Sequence, residues 1–216
     1  MSQPFDRSAS IPAPGKLDKS LKEFWVTNPW HIVAHGHNLS SFERQRMYFN
    51  QKGKDFLEVS HLSGTDNDGD GRAVVAGDFT GRGQLDLLVR QAGGWPLLLY
   101  ENRLPRRHSL TVTLRGDKSN RWGIGSRLTA TAGGLTQTRE MYPINTFKSQ
   151  APNRVHFGLG DSATVDVLTV RWPSGKVTRI KALAADRHVI IDEGDESVRT
   201  VVPGEPMDPA KPDAGG

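Results

Sequence analysis

Hydrophobic and polar residues alternate along much of the second half of the chain, a pattern that places one face of a β-strand in a core and the other in water. Residues 109–114 show it most clearly, with Leu110, Val112 and Leu114 at every second position. We predict further strands, at residues 127–132, 136–141, 165–172, 176–180 and 188–192. Strands of this number and length are enough for a small sandwich or barrel.

Turn residues separate these predicted strands. Residues 133–135 read Gly-Gly-Leu, and glycine reaches the positive φ that a tight hairpin turn requires. Residues 173–175 read Pro-Ser-Gly, in which proline suits the first corner of a turn and glycine its left-handed exit. Leu168, Val170 and Trp172 then share one face of the preceding strand, and we expect that face in the core.

The first half of the chain also favours strands. Only residues 16–24 hint at a helix, and the hint is short. The runs rich in β-branched and aromatic residues, bounded by turn residues, predict strands at residues 46–50, 56–60, 73–78, 85–89 and 96–101. The chain as a whole is therefore predicted to be all-β.

Composition excludes several classes of protein. The 216 residues contain no cysteine, which excludes a disulfide framework and a thiolate metal site. No run approaches the roughly 18 apolar residues of a membrane span, and residues 1–10 lack the apolar centre of a secretory signal. Residues 1–17 and 203–216 are rich in proline, glycine and small polar residues, and are predicted to be tails.

The charge is modest and scattered. The formal net charge is +4, and the one basic cluster, at residues 103–108, contains Arg106 and Arg107. A nucleic-acid-binding protein would show a coherent basic face with aromatic residues interleaved, so we expect no nucleic-acid partner. The favoured interpretation of the cluster is a solvated linker, and the alternative is contact of Arg106 and Arg107 with an acidic protein or anionic surface.

The first half resembles a repeat from a known family. Residues 41–103 carry Phe-Leu-Glu-Val-Ser at 56–60, Leu-Ser-Gly at 62–64 and the loop Gly77 to Asp86. On these motifs the segment is similar to an FG-GAP or VCBS repeat, the unit of integrin-like β-propellers. A propeller needs about four to eight blades, and the first half has room for one or two, so we expect sheet edges that something else must cover.

The second half resembles an ASPIC/UnbV domain. Residues 108–180 carry Asn120, Gly-Ile-Gly-Ser-Arg at 123–127, His-Phe-Gly-Leu-Gly at 156–160 and Trp-Pro-Ser-Gly at 172–175, in the order typical of that family. The two resemblances together imply a truncated relative of the cartilage acidic proteins. Members are typically exported, so the resemblance implies a secreted or periplasmic protein.

These observations predict a two-part organisation: a partial propeller-type sheet unit packed with a C-terminal β-sandwich. The predicted segments are an N-terminal tail at 1–17, an FG-GAP/VCBS-like unit at 18–104, an ASPIC/UnbV sandwich at 105–195 and a C-terminal tail at 196–216.

The loop at Asp78 is a candidate calcium site. The resemblance implies the pattern Asp-x-Asp-x-Asp-Gly-x-x-Asp, whose oxygens would surround the ion. Asp78 and Asp86 keep the two ends, but Thr80 offers only a neutral oxygen and Arg82 places a permanent cation among the ligands. We therefore favour a metal-free loop in which Arg82 pairs with Asp78 or Asp86, and keep calcium as the alternative.

A second acidic run precedes this loop. Asp66, Asp68 and Asp70 have the spacing of an EF-hand opening, but Gly77 stands where the closing glutamate belongs. The favoured interpretation is a polar turn. A composite calcium site that draws on Asp66, Asp68, Asp70, Asp78 and Asp86 is the sharper alternative.

Tryptophans on predicted loops are the candidate recognition residues. Trp95 follows Gly93-Gly94, Trp122 precedes a glycine-rich turn, and Trp30 stands in a short histidine-containing stretch. Exposed tryptophan anchors protein interfaces and stacks on sugars. No nucleophile elbow is present, and His156 is expected to be packed and hydrogen-bonded rather than a base.

We therefore predict a non-enzymatic, extracytoplasmic interaction or scaffold module, a subunit of a larger envelope-associated assembly. It would have no cofactor and reach a membrane only through a partner. The first alternative is a calcium-dependent carbohydrate or matrix binder. The second is an enzyme or accessory factor that acts on a natural product.

Overall fold

The computed structural model describes residues 10, 12–28, 31–32, 34–36, 44–51, 53–69, 71–91, 97–143 and 149–202. The described residues form two compact units, one that runs to Gly71 and includes Gln91, and one with residues 72–90 and everything from residue 97. This division differs in position from the predicted boundary between residues 104 and 105, which stays a prediction about independent folding.

The first unit contains little regular structure. A 3-10 helix covers Lys19–Leu21, where residues 16–24 predicted a longer helix, and Asp18 caps it by accepting a hydrogen bond from the Ser20 N–H at 2.8 Å. Strands β1 (Tyr48–Asn50) and β2 (Phe56–Glu58) form an antiparallel hairpin. The predicted strand at 56–60 stops early because Ser60 starts helix α1 (Ser60–Ser63), and the Ser60 Oγ accepts a hydrogen bond from the Met47 N–H at 2.7 Å.

Three strands precede the C-terminal sandwich. They are β3 (Gly71–Gly77), β4 (Asp86–Gln91) and β5 (Leu98–Tyr100), in the sheet order β3-β4-β5. Residues 78–85 connect β3 to β4, so the predicted calcium loop is the turn of this small sheet.

The rest of the chain forms two four-stranded sheets. Their strands are β6 (His108–Arg115), β7 (Arg127–Ala132), β8 (Leu135–Glu140), β9 (Val155–Gly160), β10 (Thr164–Arg171), β11 (Val177–Ala184), β12 (Arg187–Asp192) and β13 (Val198–Thr200). One sheet has the order β11-β10-β7-β8 and the other β13-β12-β6-β9, with β12 parallel to β6.

A single hydrophobic core joins these two sheets into a β-sandwich. Phe157 in β9 has no exposed surface, and Leu168, Val170 and Trp172 are buried as the alternation predicted. Strand β6 buries the three residues that defined its pattern, Leu110, Val112 and Leu114. The predicted all-β class is confirmed; no sheet of the described chain is closed, and the propeller-type unit stays a prediction.

Two strands depart from the sequence prediction. Strand β9 was missed because Gly158 and Gly160 favoured turns, yet its residues Val155, Phe157 and Leu159 alternate into the core. Strand β13 lies within the segment assigned to the C-terminal tail; it pairs with β12 at the sheet edge, where its exposed side chains give no burial pattern to recognise.

The glycine turn between β7 and β8 is tighter than predicted. Gly133 and Gly134 both have positive φ, at 54° and 78°, and Leu135 already pairs with Ala132 as the first residue of β8. Two consecutive positive φ values define the hairpin turn that matches the twist of adjacent strands, which explains the double glycine.

Candidate functional site

The carboxylate of Asp86 forms the centre of the loop between β3 and β4. It is wholly buried, and it accepts hydrogen bonds from the backbone N–H groups of Asn102 at 2.8 Å and Phe79 at 3.2 Å, and from the Thr80 hydroxyl at 3.2 Å. The Arg82 Nη2 donates to the same carboxylate at 3.4 Å. Four donors from two stretches of chain, the loop itself and Asn102, therefore satisfy one buried charge.

Arg82 holds the rest of the loop together. Its guanidinium also donates to the Asn102 carbonyl at 3.1 Å and to the Thr80 hydroxyl at 2.8 Å, and it forms an ion pair with Glu101 at 2.9 Å. Its backbone N–H donates to Asp78 at 3.0 Å. The predicted pairing of Arg82 with an end carboxylate is confirmed, and the partner is Asp86.

The pKa of Asp86 reflects this environment. Burial by itself would raise the pKa, but the hydrogen bonds from Asn102, Thr80 and Phe79, together with the charge of Arg82, lower it below its ordinary value. Asp86 is therefore a charged anchor of the loop at neutral pH.

The earlier acidic run is arranged around an amide. The Asn67 side-chain oxygen accepts hydrogen bonds from the Gly69 N–H and from Gln91 Nε2, both at 2.7 Å, which shapes a polar turn. Asp66 lies 3.5 Å from the Arg44 Nε, and Asp68 is exposed. Asp70 lies outside the described residues.

No three His, Asp or Glu side chains in the described ranges are arranged to hold a metal ion. Calcium binding by Asp66, Asp68, Asp70, Asp78 and Asp86 stays a prediction.

The predicted interaction residues that the structure describes are exposed or half-buried, and two of them contact a charged neighbour. Trp122 is half-buried, with the Arg121 guanidinium 5.6 Å from its ring centroid. Arg106 is exposed, and Arg107 forms an ion pair with Asp161. Trp30 and Trp95 lie outside the described residues.

The sequence interpretation did not identify a group of exposed apolar side chains on the β1–β2 hairpin. Tyr48, Phe49, Phe56 and Leu57 keep 55%, 52%, 62% and 52% of their surfaces exposed. Phe49 pairs with Leu57 across the two strands, so these two share one face, while Tyr48 and Phe56 lie on the other. The signal was two pairs of adjacent large apolar residues, which a strand with one solvent face does not carry.

A buried glutamate joins three loops of the sandwich. Glu193 is 1% exposed and accepts hydrogen bonds from the backbone N–H groups of Asp117 at 2.7 Å and Ser119 at 2.8 Å. The hydroxyls of Ser119 and Ser174 donate to its other oxygen. Burial would raise the pKa of Glu193, but these hydrogen bonds lower it to about 2. The Ser of the Pro-Ser-Gly turn therefore has a structural role that the sequence did not predict.

A cavity of about 220 Å³ opens within the second unit. Its walls come from the end of β3, the end of β8 and the segment that leads into β9. The lining includes apolar side chains and charged side chains of both signs. Its polar and aromatic members include Asp78, Arg139, Glu140, Tyr142, Arg154 and His156. The sequence offered no signal for this site because its walls come from segments far apart in the chain.

His156 lines this cavity as a neutral imidazole. Burial lowers its pKa, the charge of Asp78 opposes that shift and the charge of Arg139 adds to it. Its Nδ1 lies 3.3 Å from the Thr111 hydroxyl. The prediction of a packed, hydrogen-bonded histidine agrees with this geometry.

Comparison with known families supports one half of the resemblance. Residues 116–198 match the family model described as ASPIC and UnbV, which extends from the loop after β6 into β13. The sandwich residues Trp172, Ser174 and Glu193 all fall inside this match. The ASPIC/UnbV part of the prediction is thereby confirmed for these residues.

Comparisons with whole proteins add little. No curated protein matches the chain. Among solved structures, the chain is similar to one described as "NMR structure of the protein from Eubacterium rectale", with 15% identity over 50% of this chain and 100% of that chain and a TM-score of 0.27. No helix in the described ranges is long and apolar enough to span a bilayer.

Proposed function

We propose that the protein is a non-enzymatic interaction module, which binds another protein subunit through the β1–β2 hairpin. The observation that carries this proposal is the exposure of large apolar side chains on both faces of the hairpin. A two-stranded hairpin alone is marginally stable in water, and a pair of large exposed apolar side chains on each face marks it as a candidate binding site.

Aromatic content strengthens the proposal. Tyr48, Phe49 and Phe56 supply three of the four exposed side chains, and aromatic residues are enriched at the centres of protein interfaces. Among the described residues neither β1 nor β2 pairs with a third strand, so their outer edges offer backbone groups to an added strand. We infer a polypeptide partner that covers an apolar face and extends the sheet.

The proposal also covers the type of the first unit and the location of the protein. We take residues 18–104 as an FG-GAP/VCBS-type unit and the protein as extracytoplasmic, in an envelope-associated assembly, on the strength of the sequence resemblance. In FG-GAP proteins neighbouring blades cover one another, and exposed hairpin faces are what a single unit would present. The carboxylates of Asp86 and Glu193 fill structural roles, which favours a non-enzymatic function.

Photocrosslinking in the producing cells tests the proposal. A photoreactive phenylalanine analogue replaces Phe56, and the matched control carries it at Leu135, which is similarly exposed at the tip of the β7–β8 hairpin. We expect a discrete covalent adduct with a second polypeptide from position 56 and none from position 135. No adduct from position 56, with a free monomer by light scattering of the native extract, would reject the proposed function.

A further inference from the structure

We propose that the cavity of the second unit binds a small sugar acid of the hexuronate class, with Arg139 and Arg154 on its carboxylate. This site is separate in sequence and in chemistry from the hairpin proposed to bind a protein. It combines arginine cations, carboxylates that can accept hydrogen bonds from hydroxyl groups, and apolar ring surfaces in a space of about 220 Å³.

The two arginines supply the recognition of an anion. In the described part of the chain, neither Arg139 nor Arg154 forms a salt bridge with a carboxylate. Arg139 donates to two neutral acceptors on its own strand, the Thr138 carbonyl at 2.9 Å and the Gln137 side chain at 3.2 Å. Guanidinium groups bind carboxylates with paired, charge-assisted hydrogen bonds.

The carboxylates of the lining favour a ligand with hydroxyl groups. Asp78 accepts one backbone N–H on each oxygen, from Arg82 and Gly83, so each oxygen keeps capacity for another donor. Glu140 lies 3.5 Å from the Arg127 guanidinium, with both side chains largely exposed. Sugar hydroxyls are suitable donors for both carboxylates.

The same carboxylates select a monoanion over a phosphate. Two acidic and two arginine side chains line the cavity, and His156 adds no charge at neutral pH because burial lowers its pKa. A phosphate dianion carries a single hydroxyl donor, so it cannot satisfy both Asp78 and Glu140, whereas a hydroxylated carboxylate can. A carboxylate on a hydroxylated body offers acceptors to the two arginines and donors to the two carboxylates.

The apolar lining and the volume fit one ring. Tyr142, Pro143 and Pro152 present flat apolar surface, and the C–H face of a sugar packs on such surfaces. The volume equals that of about seven waters at roughly 30 Å³ each, which suits one monosaccharide rather than a chain.

Titration calorimetry with sodium glucuronate tests this inference on the full chain. We expect saturable binding, weakened about tenfold or more by Arg139→Gln and by Arg154→Gln, in line with the loss of a charge-assisted hydrogen bond. Arg179→Gln, an exposed arginine on β11 that is not part of the lining, is the matched control and should bind as the wild type does. Glucose should bind at least about tenfold more weakly than glucuronate, because it lacks the carboxylate.

A second readout keeps the test decisive if a variant is poorly folded. Amide chemical shifts of Ala76 and Ala151, which line the cavity from two different segments of the chain, should move on addition of glucuronate to the wild type. The proposal would be overturned if glucuronate did not bind or if both arginine variants bound it as tightly as the wild type does. It would also be overturned if inorganic phosphate bound the cavity as tightly as glucuronate. None of these outcomes bears on the hairpin crosslink.

Discussion

The sandwich and the β1–β2 hairpin both contain strands rich in large apolar residues, but the sandwich buries these side chains and the hairpin leaves them exposed. In β6 the apolar side chains occupy alternate positions and lose all contact with solvent, as Leu110 and Leu114 do. In the hairpin they occupy adjacent positions, and Phe49 and Phe56 remain more than half exposed. Alternation lets one face be covered by a second sheet of the same chain, whereas apolar residues on both faces of two short strands need material from elsewhere.

The largest expected change in the free energy of unfolding comes from replacing phenylalanine, which occurs in both regions and so allows a direct comparison. Phe157→Ala should lower the free energy of unfolding by about 3 to 5 kcal/mol, since it removes a fully buried ring and leaves a cavity. Phe56→Ala should change it by less than about 0.5 kcal/mol. Urea unfolding followed by tryptophan fluorescence measures both. A comparable loss for Phe56→Ala would break the comparison, because it would place the hairpin ring in a core.

The next effect concerns the polar part of the sandwich. Glu193→Gln should destabilise the protein by about 2 to 3 kcal/mol at pH 7, because the folded state holds the pKa of Glu193 at about 2, below its ordinary value of 4.5. A depressed carboxyl pKa contributes stability above pH 4.5 and loses it as pH falls toward 2. The difference between wild type and variant should therefore shrink over this window in urea titrations at successive pH values.

One background titration and one control variant separate the contribution of Glu193 from other effects of pH. His188 has its pKa lowered to about 4 by burial and the charge of Arg154, so stability also falls from pH 6.5 to 4, but equally in wild type and variant. Glu140→Gln changes an exposed carboxylate and should have little effect at any pH. A pH-independent difference for Glu193→Gln would show that packing rather than charge explains it.

The smallest effect belongs to the loop between β3 and β4. Arg82→Gln should cost about 1 kcal/mol or less, because the guanidinium is partly exposed and Asp86 keeps three other donors. Millimolar calcium should leave the thermal midpoint of the wild type unchanged, since the Arg82 charge lies 3.4 Å from the Asp86 carboxylate. Arg103→Gln, which removes a more exposed partner of Glu101, is the control. A calcium-dependent rise in the wild-type midpoint would instead support the calcium alternative.

Sequence patterns predicted the elements better than the contacts between them. The strands from β6 to β12 followed from alternation, apart from β9, whose glycines hid three inward-pointing residues. The Arg82 pairing was also predictable, because its partner lies only four residues away on the same turn. The exposed hairpin was not predicted, since adjacent apolar residues indicate a strand without stating what covers it.

The sequence by itself determined the all-β class, the core face of the sandwich and the turn residues, because burial on alternate positions and positive φ at glycine are local properties of the chain. Only the tertiary structure decided that Glu193 accepts hydrogen bonds from residues 76 and 74 positions away, and that Asp78, Arg139 and Arg154 line one cavity. Such sites depend on which loops the sheets bring together, and that arrangement is set by packing of the whole sandwich rather than by any single stretch of residues.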